Sequence, residues 1–168
     1  MGTFEAATPR GAKRIAVRIT PGSDLFQGIR DVCRHFGITC ASVESALGSL
    51  ASATVVCISD DSESPSGASY KDPTHIEAPM ELVALCGTVG AMDGETSIHL
   101  HGTVALDEKT PYCGHLVDDG KNTVLATVEM QIVELIGMNW VRRHDPETGF
   151  TLFKPEDSRY PDIGEPGR

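Results

Sequence analysis

Apolar and polar residues alternate along "RIAVRIT" (14–20), the period-2 pattern of a half-buried strand. The next stretch, "PGSDLFQGIRDVCRHFG", changes period. Leu25, Ile29, Val32, Cys33 and Phe36 recur at helical spacing and form one apolar stripe. Asp24 or Ser23 can cap this helix, Gln27 follows Asp24 by three as in a capping box, and Gly37 is placed to end it. From Cys40 onward the pattern is β. "CASVESALGS" and "SATVVCISD" predict two strands with a bend at Gly48 and Ser49. Residues 60–73, acidic and rich in Ser, Pro and Gly, predict a surface loop. "THIEAP" predicts a short strand, and the continuously apolar "MELVALCGTVGAM" a strand buried on both faces. "DGE" at 93–95 is a hairpin turn signal, with "TSIHLHGTVAL" returning from it. "DEKTP" and "DDGKN" are turns, and "GHLV" and "TVLATVEMQIVELIG" further strands.

After Gly137, "NWVRRHDPETGFTLF" predicts a small hairpin around "DPETG", and the Pro- and Gly-rich end an extended tail. Strands joined by short turns plus one main helix make an α+β domain with a mostly antiparallel sheet. The expected organisation is a flexible segment over 1–13, the domain over 14–137, and a C-terminal hairpin and tail over 138–168.

Charge narrows the function classes. The formal net charge is −10, whereas a DNA-binding surface gathers Lys and Arg on one face. The basic clusters "PRGAKR" (9–14) and "VRRH" (141–144) are short and read as solvated termini and a turn. No apolar run reaches membrane-spanning length, and the N-terminus has no secretory h-region. The Met-Gly start does not complete a myristoylation pattern, because position 6 is Ala6. A cytoplasmic location is expected. Cys33, Cys40, Cys57, Cys86 and Cys113 are odd in number and lack Cys-x-x-Cys spacing, so they read as reduced, buried thiols.

The chemistry concentrates in "SIHLHGTVAL". Residues two apart on a strand share a face, so His99 and His101 project together with Cα atoms ~6–7 Å apart. His115, after Gly114 on a strand that can pair alongside, is the third candidate. Three neutral imidazoles with an open position suit Zn²⁺ in its catalytic mode, and other transition metals also accept imidazole. Affinity is then expected to fall as the pH drops below the free-histidine value of ~6.5. The alternative is a set of hydrogen-bonded histidines on a half-polar face. His35 ends the helix, while His75 and His144 are read in surface loops or turns. Glu81 opens the apolar "ELVALCG" and serves either as metal ligand or proton shuttle, or as a structural carboxylate with a partner. Glu129 and Glu134 fit an exposed strand face. Arg18, facing opposite Val17 and Ile19, can hold an anionic substrate or pair with an acidic neighbour.

The order of "VRITPGSDLFQGIRDVCRHFG", the Gly-Ser bend, "APMELVALCGTVG", "IHLHGTV" and "GHLV" resembles the plants-and-prokaryotes conserved (PPC) domain over about residues 14–137. The resemblance implies an α+β fold assembled as a homotrimer. Plant members carry AT-hook motifs with an Arg-Gly-Arg-Pro core; here Ala12 stands where the second Arg belongs. Plant members also lack the histidines, which stand-alone prokaryotic members carry, so this chain is similar to the prokaryotic sort. His99, His101 and His115 are then the implied metal ligands. The fold is distantly similar to acetolactate decarboxylase, which uses a His-x-His and a later His on zinc. Two functions follow: a metal-dependent lyase, decarboxylase or hydrolase, with zinc or another divalent transition metal, acting on a small anionic or carbonyl-containing ligand, or a non-catalytic regulatory or DNA-associated module. The acidic balance disfavours DNA.

Overall fold

In the computed structural model, which describes residues 5–157, the period-2 segments become ten strands around one helix. They are β1 (Gly11–Ile19), α1 (Leu25–Phe36), β2 (Ala41–Val56), β3 (Ile58–Asp60), β4 (Ala68–Tyr70), β5 (Thr74–Met92), β6 (Glu95–Ala105), β7 (Pro111–Leu116), β8 (Val124–Ile136), β9 (Met138–His144) and β10 (Thr151–Asp157). Eight strands form one sheet in the order β1-β8-β2-β7-β6-β5-β9-β10. Because β2 also pairs with β5, strands β2, β5, β6 and β7 close into a ring. The C-terminal hairpin β9–β10 extends the same sheet by a short parallel pairing of β9 with β5 at Ala91 and Val141.

Helix α1 begins and ends where its sequence requires. The Asp24 carboxylate accepts the Gln27 N–H at 2.9 Å, satisfying an N–H that the first helical turn leaves without a partner. Gly37 closes it in the left-handed region at φ 69°. Its stripe buries Leu25, Phe26, Ile29 and Cys33 in one core with Ile98, Leu100 and Leu116 of β6 and β7. That core fixes the inward face of the strands carrying the histidines. Asp24 also accepts the Asn122 N–H at 3.1 Å. Fully buried Asn122 donates to the Val117 carbonyl at 2.7 Å and accepts the Thr54 N–H at 3.1 Å. The turn after β7 is thereby tied both to the helix start and to β2.

Several expectations are corrected. The two strands around Gly48 are one strand, β2, whose pairing slips in register on either side of that glycine. "THIEAP" is not separate but opens the 19-residue β5. β5 is buried on one face only within the chain: Met80, Leu82, Leu85 and Val89 point inward, while Val83 and Cys86 are exposed. Small residues such as Ala84 and Gly87 make both faces look apolar without requiring both to be covered. The 60–73 loop contains β4, which folds back on β3 as a short ribbon. His75 is exposed, as expected, but lies in β5 with its Nδ1 2.9 Å from the Thr54 hydroxyl. "VRRH" belongs to β9, not to a turn, and Arg14 of the N-terminal basic cluster pairs with Glu44. The tail from residue 158 lies outside the described residues.

Candidate metal centre

Strand alternation puts His99 and His101 on the outer face of β6, with Ile98 and Leu100 buried beneath. The β6–β7 register sets His101 directly opposite His115. The next register pair along the two strands is glycine on both sides, Gly102 opposite Gly114. A side chain at Gly114 would meet the Val56 carbonyl oxygen at 2.6 Å, so this glycine lets the end of β2 approach β7 beside His115. The ring centroids are 4.9 Å apart for His99 and His101, 4.8 Å for His99 and His115, and 5.5 Å for His101 and His115. One nitrogen of each ring lies within 4.8 Å of the other two. Nitrogens bound to one ion at ~2.0–2.1 Å sit closer than this, a gap that ring rotation covers.

The electrostatics favour neutral imidazoles. Burial, then charge on His101 and Arg142, pushes the His99 ring down to about 4. His115 is likewise pushed down to about 4, mostly by burial and then by the other two histidines and Arg142. Nε2 of His99 and Nδ1 of His115 are buried without a hydrogen-bond partner among the described residues. Such orphaned nitrogens each cost ~1–3 kcal/mol unless something accepts their lone pair. With His101 they make a set of three imidazole donors, which is the donor chemistry of zinc and similar ions. The residues present therefore fit a divalent transition metal.

The histidines stand between two cavities. One of about 570 Å³ is lined by His101 with Cys86, Cys113, Leu47, Val83 and Glu129. The other, of about 240 Å³, is lined by His115 with Ser97, Glu95, Arg30, Asp118 and Arg142. Glu81 and Arg18 lie elsewhere. Glu81 pairs with Ala105, four residues along β6 from His101 and so ~13 Å away. Arg18 stands opposite Glu129 of β8 in the strand register and donates from Nε to the Thr127 hydroxyl at 3.0 Å. The cavity that each lines contains none of the three histidines.

The thiols divide. Cys33 and Cys40 are buried, and burial pushes the Cys33 thiol up to about 11, which leaves it protonated and inert. Cys57, Cys86 and Cys113 are exposed, contrary to expectation. The periodicity that buries alternate residues places Cys86 opposite His101, on the outer face. Two neighbours of the site gave no signal in the sequence. Tyr70 of β4 stacks at 5.4 Å on His115, and Arg142 comes from the hairpin beyond "ELIG".

Comparison with known proteins places these features in a wider group. The family model of the Plants and Prokaryotes Conserved (PCC) domain matches residues 6–136. Among solved structures, the metal-containing protein AF0104 from Archaeoglobus fulgidus superposes with a TM-score of 0.73 at 25% identity, covering 91% of this chain and 99% of that one. A candidate DNA-binding protein from Ralstonia eutropha JMP134 superposes with a TM-score of 0.64 at 24% identity, covering 82% and 88% of the two chains. The Bifunctional protein GlmU of Synechococcus sp. (strain JA-3-3Ab) is 29% identical over 143 residues, 84% of this chain. The chain spans only 20% of the length of that relative. No described helix is long and apolar enough to cross a membrane.

Proposed function

Because the chain belongs to the Plants and Prokaryotes Conserved domain family, whose fold here presents three clustered histidines, we propose that it is a metalloprotein holding one divalent ion, zinc in first place, on His99, His101 and His115. The observation that carries this reading is the pair of buried nitrogens on His99 and His115 that have no hydrogen-bond partner among the described residues. An ion so held supplies a Lewis acid for carbonyl or carboxylate oxygens. The reactions that fit are decarboxylation, another lyase reaction or hydrolysis of a small oxygenated acid. The similar Archaeoglobus protein is described as metal-containing, which supports the same reading. Elemental analysis after zinc reconstitution and gel filtration is expected to find one ion per chain. Protein that stays metal-free removes the proposal.

We further propose a homotrimer. Leu47 and Val83 are 59% and 58% exposed on the open sheet face, beside the cavity that His101 lines. Covering that face would remove apolar surface from water. In such an assembly Glu81, as ligand or proton shuttle, and Arg18, as anion holder, would act at a histidine site across an interface, since within one chain both lie apart from it. Light scattering on the eluting peak is expected to give three times the 17.9 kDa chain mass. A monomer across the micromolar range would defeat the idea.

The second reading is association with DNA, favoured by the description of the similar Ralstonia protein. Charge opposes it: three chains at −10 each sum to −30, which repels phosphate. Equilibrium titration with an AT-rich duplex at physiological salt is expected to show no tight binding. Submicromolar, salt-sensitive binding would reverse that order of preference.

A further inference from the structure

Among the described residues, one guanidinium beside the histidines is without a carboxylate partner. Arg142 lies on β9, in the hairpin that follows the family-matched segment 6–136. The other basic residues of this hairpin are paired: Arg143 with Glu156 at 2.8 Å, and Lys154 with Asp145 at 3.4 Å and Glu5 at 3.6 Å. Half-buried Arg142 has only neutral partners among the described residues. Its Nη1 is 3.5 Å from the Ser97 hydroxyl and its Nε donates to the Thr151 carbonyl at 3.3 Å. The guanidinium is held over the Phe153 ring, 5.5 Å from its centroid. A guanidinium offers five N–H donors in a fixed fork, so this one retains unused donors in a fixed place.

That place is defined by register. Ser97 is two residues before His99 on β6 and shares its face. Arg142 reaches Ser97 and, with His115, lines the 240 Å³ cavity. Of the other charged groups lining it, Arg30 and Asp118 pair with one another, and Glu95 is exposed at the start of β6, outside ion-pair distance of Arg142. The hairpin can approach this closely because residue 90 is glycine: a side chain there would lie 2.2 Å from the Trp140 carbonyl oxygen. The cavity falls below the ~300–1,000 Å³ of drug-sized pockets, so its occupant is small.

We infer that Arg142 is the carboxylate-binding residue of the histidine site, and that its ligand is a small monocarboxylic acid bearing a second oxygen next to the carboxylate. The guanidinium fork takes the carboxylate in a bidentate pair. The adjacent oxygen faces the histidines. This inference rests on the metal reading above and adds to it the ligand's charge and its recognition by the C-terminal hairpin.

The test uses the full chain loaded with Co²⁺, whose visible spectrum reports on the site without any turnover. Pyruvate and methyl pyruvate, which differ by one negative charge, are titrated by calorimetry and by that spectrum. Wild type is expected to bind pyruvate at least about tenfold more tightly than the ester, the margin of a charge-assisted hydrogen bond. Arg142→Gln is expected to retain its metal and to lose that preference, and Arg142→Lys to retain most of it. Equal binding of acid and ester by wild type, or an acid preference that survives in Arg142→Gln, overturns the inference while leaving the metal reading intact. Absence of metal from wild type fails the metal reading itself. Should Arg142→Gln not fold, the same loss is expected of Arg142→Met; an acid preference that survives there, or equal acid and ester binding by wild type, overturns the inference.

Discussion

His99→Ala is expected to abolish stoichiometric metal while the chain stays folded. His99 supplies one of only three imidazoles, and its ring lies within 5 Å of both others, at 4.9 and 4.8 Å. Loss of an outer-shell partner already lowers metal affinity ~10–100-fold, so loss of a direct ligand should exceed about 100-fold. The fold survives because Ile98 and Leu100, on the opposite face of the same strand, carry the packing. The variant also removes a buried nitrogen that has no partner among the described residues, so the metal-free form should be no less stable than wild type. The pH profile gives a second readout. With His99 and His115 pushed down to about 4, protons compete weakly for their nitrogens. Wild-type occupancy should therefore hold to lower pH than three unperturbed imidazoles at ~6.5 would allow. For the metal-free chain the sign follows from linkage. The unfolded histidines take up protons near ~6.5 and the folded ones only near 4, so stability is present above that window and lost as the pH falls through it. A His99→Ala variant with full zinc occupancy by elemental analysis would mean that these rings form no metal site.

Why was the histidine trio legible and its surroundings not? A period of two decides which face of a strand a residue occupies, and "IHLH" states that period over the four residues that matter. The third histidine follows from a short hairpin, where turn length nearly fixes register, and His101 does stand opposite His115. The helix was equally readable, because Asp24, Gln27 and Gly37 are local signals acting over one or two turns. Long-range pairing carries no such signal. Nothing in "VRRH" says that β9 will lie beside β5, so Arg142 reads as a solvated residue until Gly90 is seen to admit the Trp140 backbone. Glu81 and Arg18 are charges set in apolar runs, yet both fall on the exposed face of their strands. Alternation explains their position without any catalytic requirement. The outer face of β5 shows the same limit: Val83 and Cys86 look like core residues by type and are open to solvent within the chain.

A single methyl group at Gly87 should damage both stability and metal binding. Gly87 lies on β5 opposite Leu100 of β6, between the cross-strand neighbours of His99 and His101, which are Thr88 and Cys86. A Cβ there would sit 2.1 Å from the His99 carbonyl oxygen and 2.6 Å from the Leu100 side chain. The first of these obstacles is backbone, so no rotamer change relieves it. β6 must move away from β5, which stretches the ladder hydrogen bonds under the metal site and shifts fully buried Leu100 in the core. Overpacking of this kind costs about 1–3 kcal/mol and occasionally more, and here part of that displacement falls on His99 itself. The control is Gly11→Ala, where the nearest atom is Ile136 Cδ1 at 3.9 Å and the substitution should be close to neutral. Urea unfolding of the two metal-free variants should lower the midpoint for Gly87→Ala and leave Gly11→Ala near wild type. Zinc titration against a competing chelator should weaken for Gly87→Ala alone. If Gly87→Ala unfolds at the wild-type midpoint and binds zinc with wild-type affinity, the close packing of β5 against the His99 carbonyl does not hold the site in place.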